Sequence, residues 1–268
     1  MSEPAITLEG VTKEFYPHRN LNVGVKQLVL RPLHLRRLAR NSRFVAVDDI
    51  SFSVAQGETF GLLGRNGAGK STLLSMIGGV IHPTRGSVRV RGRIAPLLEI
   101  GVGFVQDLSG IENAILNGVL LGLRRYEVEE RLEKIFEFAG VMEFAAQPLK
   151  TYSSGMQARL GFAIAIHTDP DVLLVDEVLA VGDAAFQEKC FERIAELRDS
   201  GVTILFVSHD VRTVSRVCDR AAWIDAGKIR EIGRAEEVAE RYYAELLGEK
   251  QMRSAIEVLA RTRDAGGS

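Results

Sequence analysis
The run Gly64-Arg65-Asn66-Gly67-Ala68-Gly69-Lys70-Ser71-Thr72 fits the spacing GxxxxGK[ST] and dictates the backbone on either side of it. Its glycines let successive N–H groups turn inward around an anion, a cradle that belongs between the end of a strand and the start of a helix. The flanks comply: ETFGLLG before it reads as a strand, and STLLSMIGGV after it has helical spacing. In such a cradle Lys70 sets a positive charge against the β- and γ-phosphates of a nucleotide, and Ser71 Oγ is placed to ligate Mg²⁺. A glycine-rich turn with a solvated lysine is the plainer alternative, and it asks nothing of those flanks. Gly64 to Thr72 are therefore the candidate ATP-binding residues.

Two apolar strands carry polar residues at their ends. Val172 to Val175 deliver Asp176 and Glu177 to the C-terminal end of one, where open α/β sheets collect ligands. Neighbouring carboxylates on extended backbone point to opposite sides, so they do different work. Asp176 suits the Mg²⁺ shell, and Glu177 suits the group that polarises the attacking water. His209 follows LFVS; alone it reads as a satisfied strand-end histidine, and beside a phosphate cradle as a γ-phosphate contact. Between these features, Ser153, Ser154 and Gly155 open a helix continued by LGFAIAI. Ser153 is a natural N-cap and Gly155 permits close backbone approach, so that helix start presents N–H groups to an anion.

The rest of the chain places these residues on an α/β scaffold. Ala5 to Phe15 alternates like an edge-type strand, Phe44 to Gly64 reads as two strands joined by a turn at Gln56-Gly57, and SVRVRGRIAPLLEIG resembles another strand pair. Leu108 to Ala146 is rich in helix formers and reads as a helical insertion. Continuous apolar strands alternating with helices through VLLVDE, FQEKCFERIAELRDSG, VTILFVSHD and VRTVSRVC imply a largely parallel sheet buried on both faces. AAWIDAGKIREIG closes the core as a strand pair, and a helical segment follows it.

Bulk properties limit the partners. Lys and Arg total 34 against 35 Asp and Glu in 268 residues, so no global charge calls for nucleic acid. Cys190 and Cys218 lack metal-ligand spacing and read as buried thiols in a reducing cytosol. No apolar run approaches the roughly 18 residues of a membrane span, and the N-terminus lacks the pattern of a secretory signal, so neither a membrane-crossing nor a secreted chain is expected.

In these motifs the chain resembles the nucleotide-binding subunits of ABC transporters over about residues 5 to 247. The resemblance implies a P-loop NTPase core with a mostly parallel sheet, an antiparallel β subdomain and a helical signature subdomain. Its Walker A falls on Gly64 to Ser71, Walker B on Val172 to Asp176, the catalytic glutamate on Glu177 and the switch histidine on His209. The signature falls on Tyr152 to Met156 and the D-loop on Ala180 to Asp183. It further implies a homodimer that sandwiches two ATP molecules, with Ser153 and Gly155 of one subunit facing the γ-phosphate held by Lys70 of the other. The Q-loop glutamine has no clear counterpart. Spacing from LSGIEN puts its position near Glu99 or Ile100, with Glu99 the weakly favoured metal contact, while Gln106 lies later. Phe15 fits the adenine-stacking position better than Tyr16.

YSSGM, DEVLAVGD, FQEKC and LLEIGVGF with LSGIENAILNG resemble one branch, the ATPases that export O-antigen, capsule, teichoic acid or galactan. That implies two copies of an integral membrane permease as partners, a lipid-linked glycan as cargo, no nucleic acid, and a peripheral position on the cytoplasmic face of the cell membrane. The implied layout is an ATPase domain over 1–248, with a basic inserted segment at 17–43 and a helical subdomain over about 108–168, then a C-terminal helix and flexible tail over 249–268. The inserted segment holds Arg19, Lys26, Arg31, Arg36, Arg37, Arg40 and Arg43 without an acid, beside leucines at 28, 30, 33, 35 and 38. It is suited either to the membrane interface or to a solvated loop. The competing functional class is a soluble ABC-type ATPase acting on ribosome or DNA; the second cassette or long coiled coil usual in those classes does not appear.

Overall fold
The computed structural model describes residues 3–16, 43–97, 101, 103–176, 182–208 and 210–248. Glu99, Glu177, His209, the basic segment through residue 42 and the stretch from 249 onward lie outside them.

Six strands form the central sheet in the order β5 (Ile94–Leu97), β6 (Val172–Val175), β7 (Thr203–Val207), β3 (Thr59–Leu63), β8 (Arg220–Asp225) and β9 (Lys228–Arg234). Neighbours run parallel except β9, which returns antiparallel to β8. Alternate residues of the inner strands feed two separate cores: Leu173, Val175, Ile204 and Phe206 enter one, while Val172, Leu174, Leu205 and Val207 enter the other. That is why VLLV and TILFV are apolar without a polar alternation. Helices α6 (Ala184–Asp199) and α7 (Val211–Val217), with α8 over residues 235–248, cover the first core through Phe186, Cys190, Ile194, Val214 and Tyr242. Burying each such large apolar side chain contributes about 1.5–3 kcal/mol.

The second core lies under α1 (Lys70–Ile77) and a three-stranded antiparallel sheet ordered β2 (Phe44–Val54), β1 (Ile6–Phe15), β4 (Arg85–Val90). Two sequence expectations are corrected here. The first strand is central, paired with β2 on one side and β4 on the other; alternation reports one buried face and carries no information about strand edges. SVRVRGRIAPLLEIG is not one hairpin, because β4 joins the antiparallel sheet and β5 the parallel one. The turn at Gln56-Gly57 is present and passes the chain from one sheet to the other.

A third core binds the helices α2 (Gly110–Leu120), α3 (Arg125–Glu129), α4 (Leu132–Ala139) and α5 (Ser154–Ile166) through Ala114, Val128, Phe136 and Leu160. Ser109 and Glu112 form a capping box at the start of α2. Helix α5 belongs to two cores at once: Leu160, Ala163 and Ile164 face the helical unit, whereas Phe162, Ala165 and Ile166 face the sheet. Both cysteines are buried, and burial pushes each thiol up to about 12.

Candidate active site
Strand β3 ends at Leu63 and α1 begins at Lys70, so the glycine run is the connection between them. Gly69 has φ of 105°, and a Cβ there would lie 2.4 Å from the carbonyl oxygen of Ala46. Strand β2 thus presses on the loop, and only glycine fits the conformation and the space together. Lys70 is buried, and its Nζ donates to the carbonyl oxygens of Gly64 at 2.6 Å and Arg65 at 3.1 Å. Desolvation lowers the Lys70 pKa, against the opposing influence of Asp176. Asp176 is the counterpart: burial raises its pKa while Lys70 holds it down. An oppositely charged pair therefore sits in low dielectric at the strand ends, where each charge acts strongly on a ligand.

A cavity of about 350 Å³ opens above this pair, and Lys70, Ser71, Thr72 and Asp176 line it together with Asn66, Gly67 and Gly69. The structure thus brings together the expected phosphate and metal residues from two distant stretches of chain. The hydroxyl of Ser71 and the carboxylate of Asp176 are hard oxygen donors on the wall of one cavity, a set suited to Mg²⁺. A larger hollow of about 720 Å³ between α6 and α7 has no such convergence of phosphate-binding backbone and strand-end carboxylate.

The aromatic on the cavity wall is Phe44, with Ala46 two residues along the same strand. Phe15 is the cross-strand partner of Phe44 and is exposed, with Lys13 Nζ 5.3 Å from its ring centre. The hydroxyl of Tyr16 donates to Glu14 Oε2 at 3.1 Å. Spacing from the first strand found Phe15 and missed Phe44, which enters through strand pairing across the inserted segment.

Ser153 caps α5 as its sequence suggests, accepting from Met156 N–H at 3.2 Å, and Ser154 starts the helix. Among the described residues, a Cβ on Gly155 would meet only Ser153 Oγ, at 3.9 Å, and none of them closes the approach to this helix start. These residues do not line the cavity above Lys70. Gln157, one turn into the helix, donates to the carbonyl of Leu149 at 3.2 Å and faces the side-chain amide of Gln106 at 3.4 Å. Gln106 therefore belongs with the signature helix. Asp183 caps α6 by accepting from Phe186 N–H at 3.0 Å; that bond, assisted by Arg159, holds its carboxyl below the ordinary range. Arg159 was missed by motif reading because its partner lies across the fold.

A sequence profile described as ABC transporter matches residues 47–180, which contain the cradle, the signature helix and the Asp176 strand. The O-antigen export system ATP-binding protein of Klebsiella pneumoniae is 50% identical over 240 residues, covering 90% of this chain and 98% of that protein. The teichoic acids export ATP-binding protein of Listeria monocytogenes serotype 4b is 42% identical over 237 residues, covering 88% of this chain and 69% of the relative. Among solved structures, an ATP-binding cassette in a dimeric post-hydrolysis state with ADP and Pi superposes with a TM-score of 0.67 at 20% identity, over 86% of this chain and 98% of that one. By the profile, and by the similarity to the O-antigen export protein that spans nearly the whole of both chains, the chain belongs to the ABC transporter family.

Proposed function
We propose that this chain is the ATP-hydrolysing subunit of an exporter that moves a lipid-linked polysaccharide across the cytoplasmic membrane. The observation that carries the ATPase reading is the cavity where Lys70, Ser71 and Asp176 meet at the strand ends. The glycan reading is supported by the O-antigen and teichoic acid export relatives. Coexpression with the neighbouring membrane-protein gene and identification of the copurifying lipid-linked sugar tests it; a complex that carries no such lipid argues against the cargo.

In this reading the γ-phosphate enters beside Lys70, whose amine exchanges the Gly64 and Arg65 carbonyls for phosphate oxygens. Ser71 and Asp176 would hold Mg²⁺, which supplies charge neutralisation at the β- and γ-phosphate oxygens. Glu177 polarises the attacking water and His209 contacts the γ-phosphate. Ser153, Ser154 and Gly155 close on the ATP of a second subunit, and two permease copies convert closure and opening into passage. We further propose an ATPase domain over 1–248 that contains the basic segment 17–43 and is followed by a C-terminal segment over 249–268.

The adenine stacks at the end of the β1–β2 ribbon, with Phe44 on the cavity wall and Phe15 beside it. Phe44→Ala is expected to weaken MgATP binding about 5- to 100-fold, the range of one base–aromatic stack, with tripolyphosphate binding unchanged. Equal loss for both ligands in calorimetry would show a collapsed cradle instead.

The charges of the basic segment are suited to attract anionic lipid or the pyrophosphate head of the cargo. Neutralising Arg36, Arg37 and Arg40 together removes about 1 kcal/mol of surface attraction per residue. Transport in proteoliposomes is expected to fall by roughly tenfold or more while detergent-solubilised ATPase activity holds. Equal loss of both activities would remove this role.

A further inference from the structure
Strand β2 shifts its register with β1 just before it reaches the cavity. Lys13 pairs with Val47 and Glu14 with Val45, so Ala46 has no partner of its own and the strand bulges there. The bulge sets the Ala46 carbonyl against the cradle at Gly69 and re-aims the residues before it, so that Phe44 reaches the cavity wall. Apolar packing does not hold that end of the strand, because Phe44 is 59% exposed and Val45 36%. A polar contact must fix the ring instead.

Glu14 supplies one. Its side chain is 5% exposed, and its carboxylate joins the ends of β1, β2 and β4. Arg43, the residue before Phe44, donates from Nη2 to Glu14 Oε1. Arg85 Nη2, at the start of β4, lies 3.6 Å from the same oxygen, and the Tyr16 hydroxyl donates to Oε2 at 3.1 Å. The Glu14 amide donates in turn to Thr84 Oγ1 at 3.1 Å. Both arginines are well exposed, so the buried carboxylate is the fixed member of the cluster. A partner lost from a buried carboxylate matters more than one lost from an exposed ion pair.

We infer that Glu14 is a positioning residue for the nucleotide base: by anchoring Arg43 it fixes the end of β2 beyond the Ala46 bulge and holds the Phe44 ring over the cavity. Glu14 does not itself line the cavity, so its effect on affinity passes through Phe44. The phosphates are held separately, by the cradle. Arg43 also ends the basic segment, so that segment and the platform for the base share one ion pair. This inference rests on the adenine stack on Phe44 proposed above.

The test uses Glu14→Gln in the whole chain, which keeps the shape of the side chain and removes its charge. MgATP affinity is expected to fall about 3- to 10-fold, a part of the 5- to 100-fold carried by a whole base–aromatic stack, with tripolyphosphate affinity within about twofold of wild type. Arg43→Gln is expected to do the same, and Arg43→Lys to recover part of the loss. Added to Phe44→Ala, Glu14→Gln should change MgATP affinity by less than about twofold, because the ring it positions is gone. A general folding defect would persist in that background. Calorimetry on the wild type, both single variants and the double variant reads each comparison. Wild-type MgATP affinity for Glu14→Gln, while Phe44→Ala binds weakly, overturns the positioning and leaves the stack standing. Equal loss of MgATP and tripolyphosphate binding, or losses that multiply in the double variant, overturn it too. Wild-type affinity in Phe44→Ala defeats the stack itself and the inference with it. If Glu14→Gln melts below the assay temperature, Arg43→Gln, changed at a half-exposed side chain, decides by the same readouts.

Discussion
Lys70→Ala should lower MgATP affinity by at least about a hundredfold, since charge-assisted hydrogen bonds contribute about 1.5–3 kcal/mol each and two are lost. Among the described residues that line the cavity, Lys70 is the one cation. It is buried, its stem lies in the first turn of α1, and its amine already sits among the loop carbonyls of Gly64 and Arg65. Moving onto phosphate exchanges oxygen acceptors of modest charge for strongly anionic ones, so affinity comes from that exchange. Truncation leaves both carbonyls without this donor, and a modest fall in melting temperature is expected beside the loss of binding. Lys70→Met, which fills the same channel, should restore most of the thermal stability and none of the affinity. Calorimetry with MgATP and with tripolyphosphate measures both effects; affinities within threefold of wild type would falsify the assignment of Lys70.

Glu177→Gln has the second large effect, and it concerns assembly as much as rate. An amide retains the shape of the carboxylate but accepts no proton, so hydrolysis should fall by about 10²–10⁴. Binding is left intact, and the ATP-bound state accumulates. Under the proposed arrangement that state is a dimer, because Ser153, Ser154 and Gly155 do not line their own subunit's cavity and none of the described residues closes the approach to Gly155. Light scattering should report twice the monomer mass with ATP and the monomer mass with ADP. A variant that is inactive yet monomeric at every nucleotide concentration would detach the signature helix from catalysis.

How much of this was readable beforehand follows from the range of each interaction. The cradle was legible because its strand, glycines, lysine and serine are contiguous, and the Ser153 cap because Ser153 and Met156 are sequence neighbours. The inner strands were legible because burial on both faces makes them uniformly apolar. Sheet membership was less so: the turn after β2 and the break between β4 and β5 resemble hairpins until the partners are known. Phe44 depends on its register with Phe15, which are separated in sequence by the whole basic segment. Arg159 and Asp183 stand 24 positions apart, and neither residue type announces the other.

The pairing of Phe15 with Phe44 also says something about how such a cassette can change over time. Chain inserted between cross-strand partners starts and ends at one point, so its closure entropy grows only with the logarithm of its length, about 0.6 kcal/mol per doubling. The strand pair and the Ala46 carbonyl against Gly69 continue to define the cradle whatever hangs from the ribbon. This end of the sheet is therefore a socket, at which an ATPase can exchange one accessory segment for another while the chemistry a few ångströms away is inherited intact.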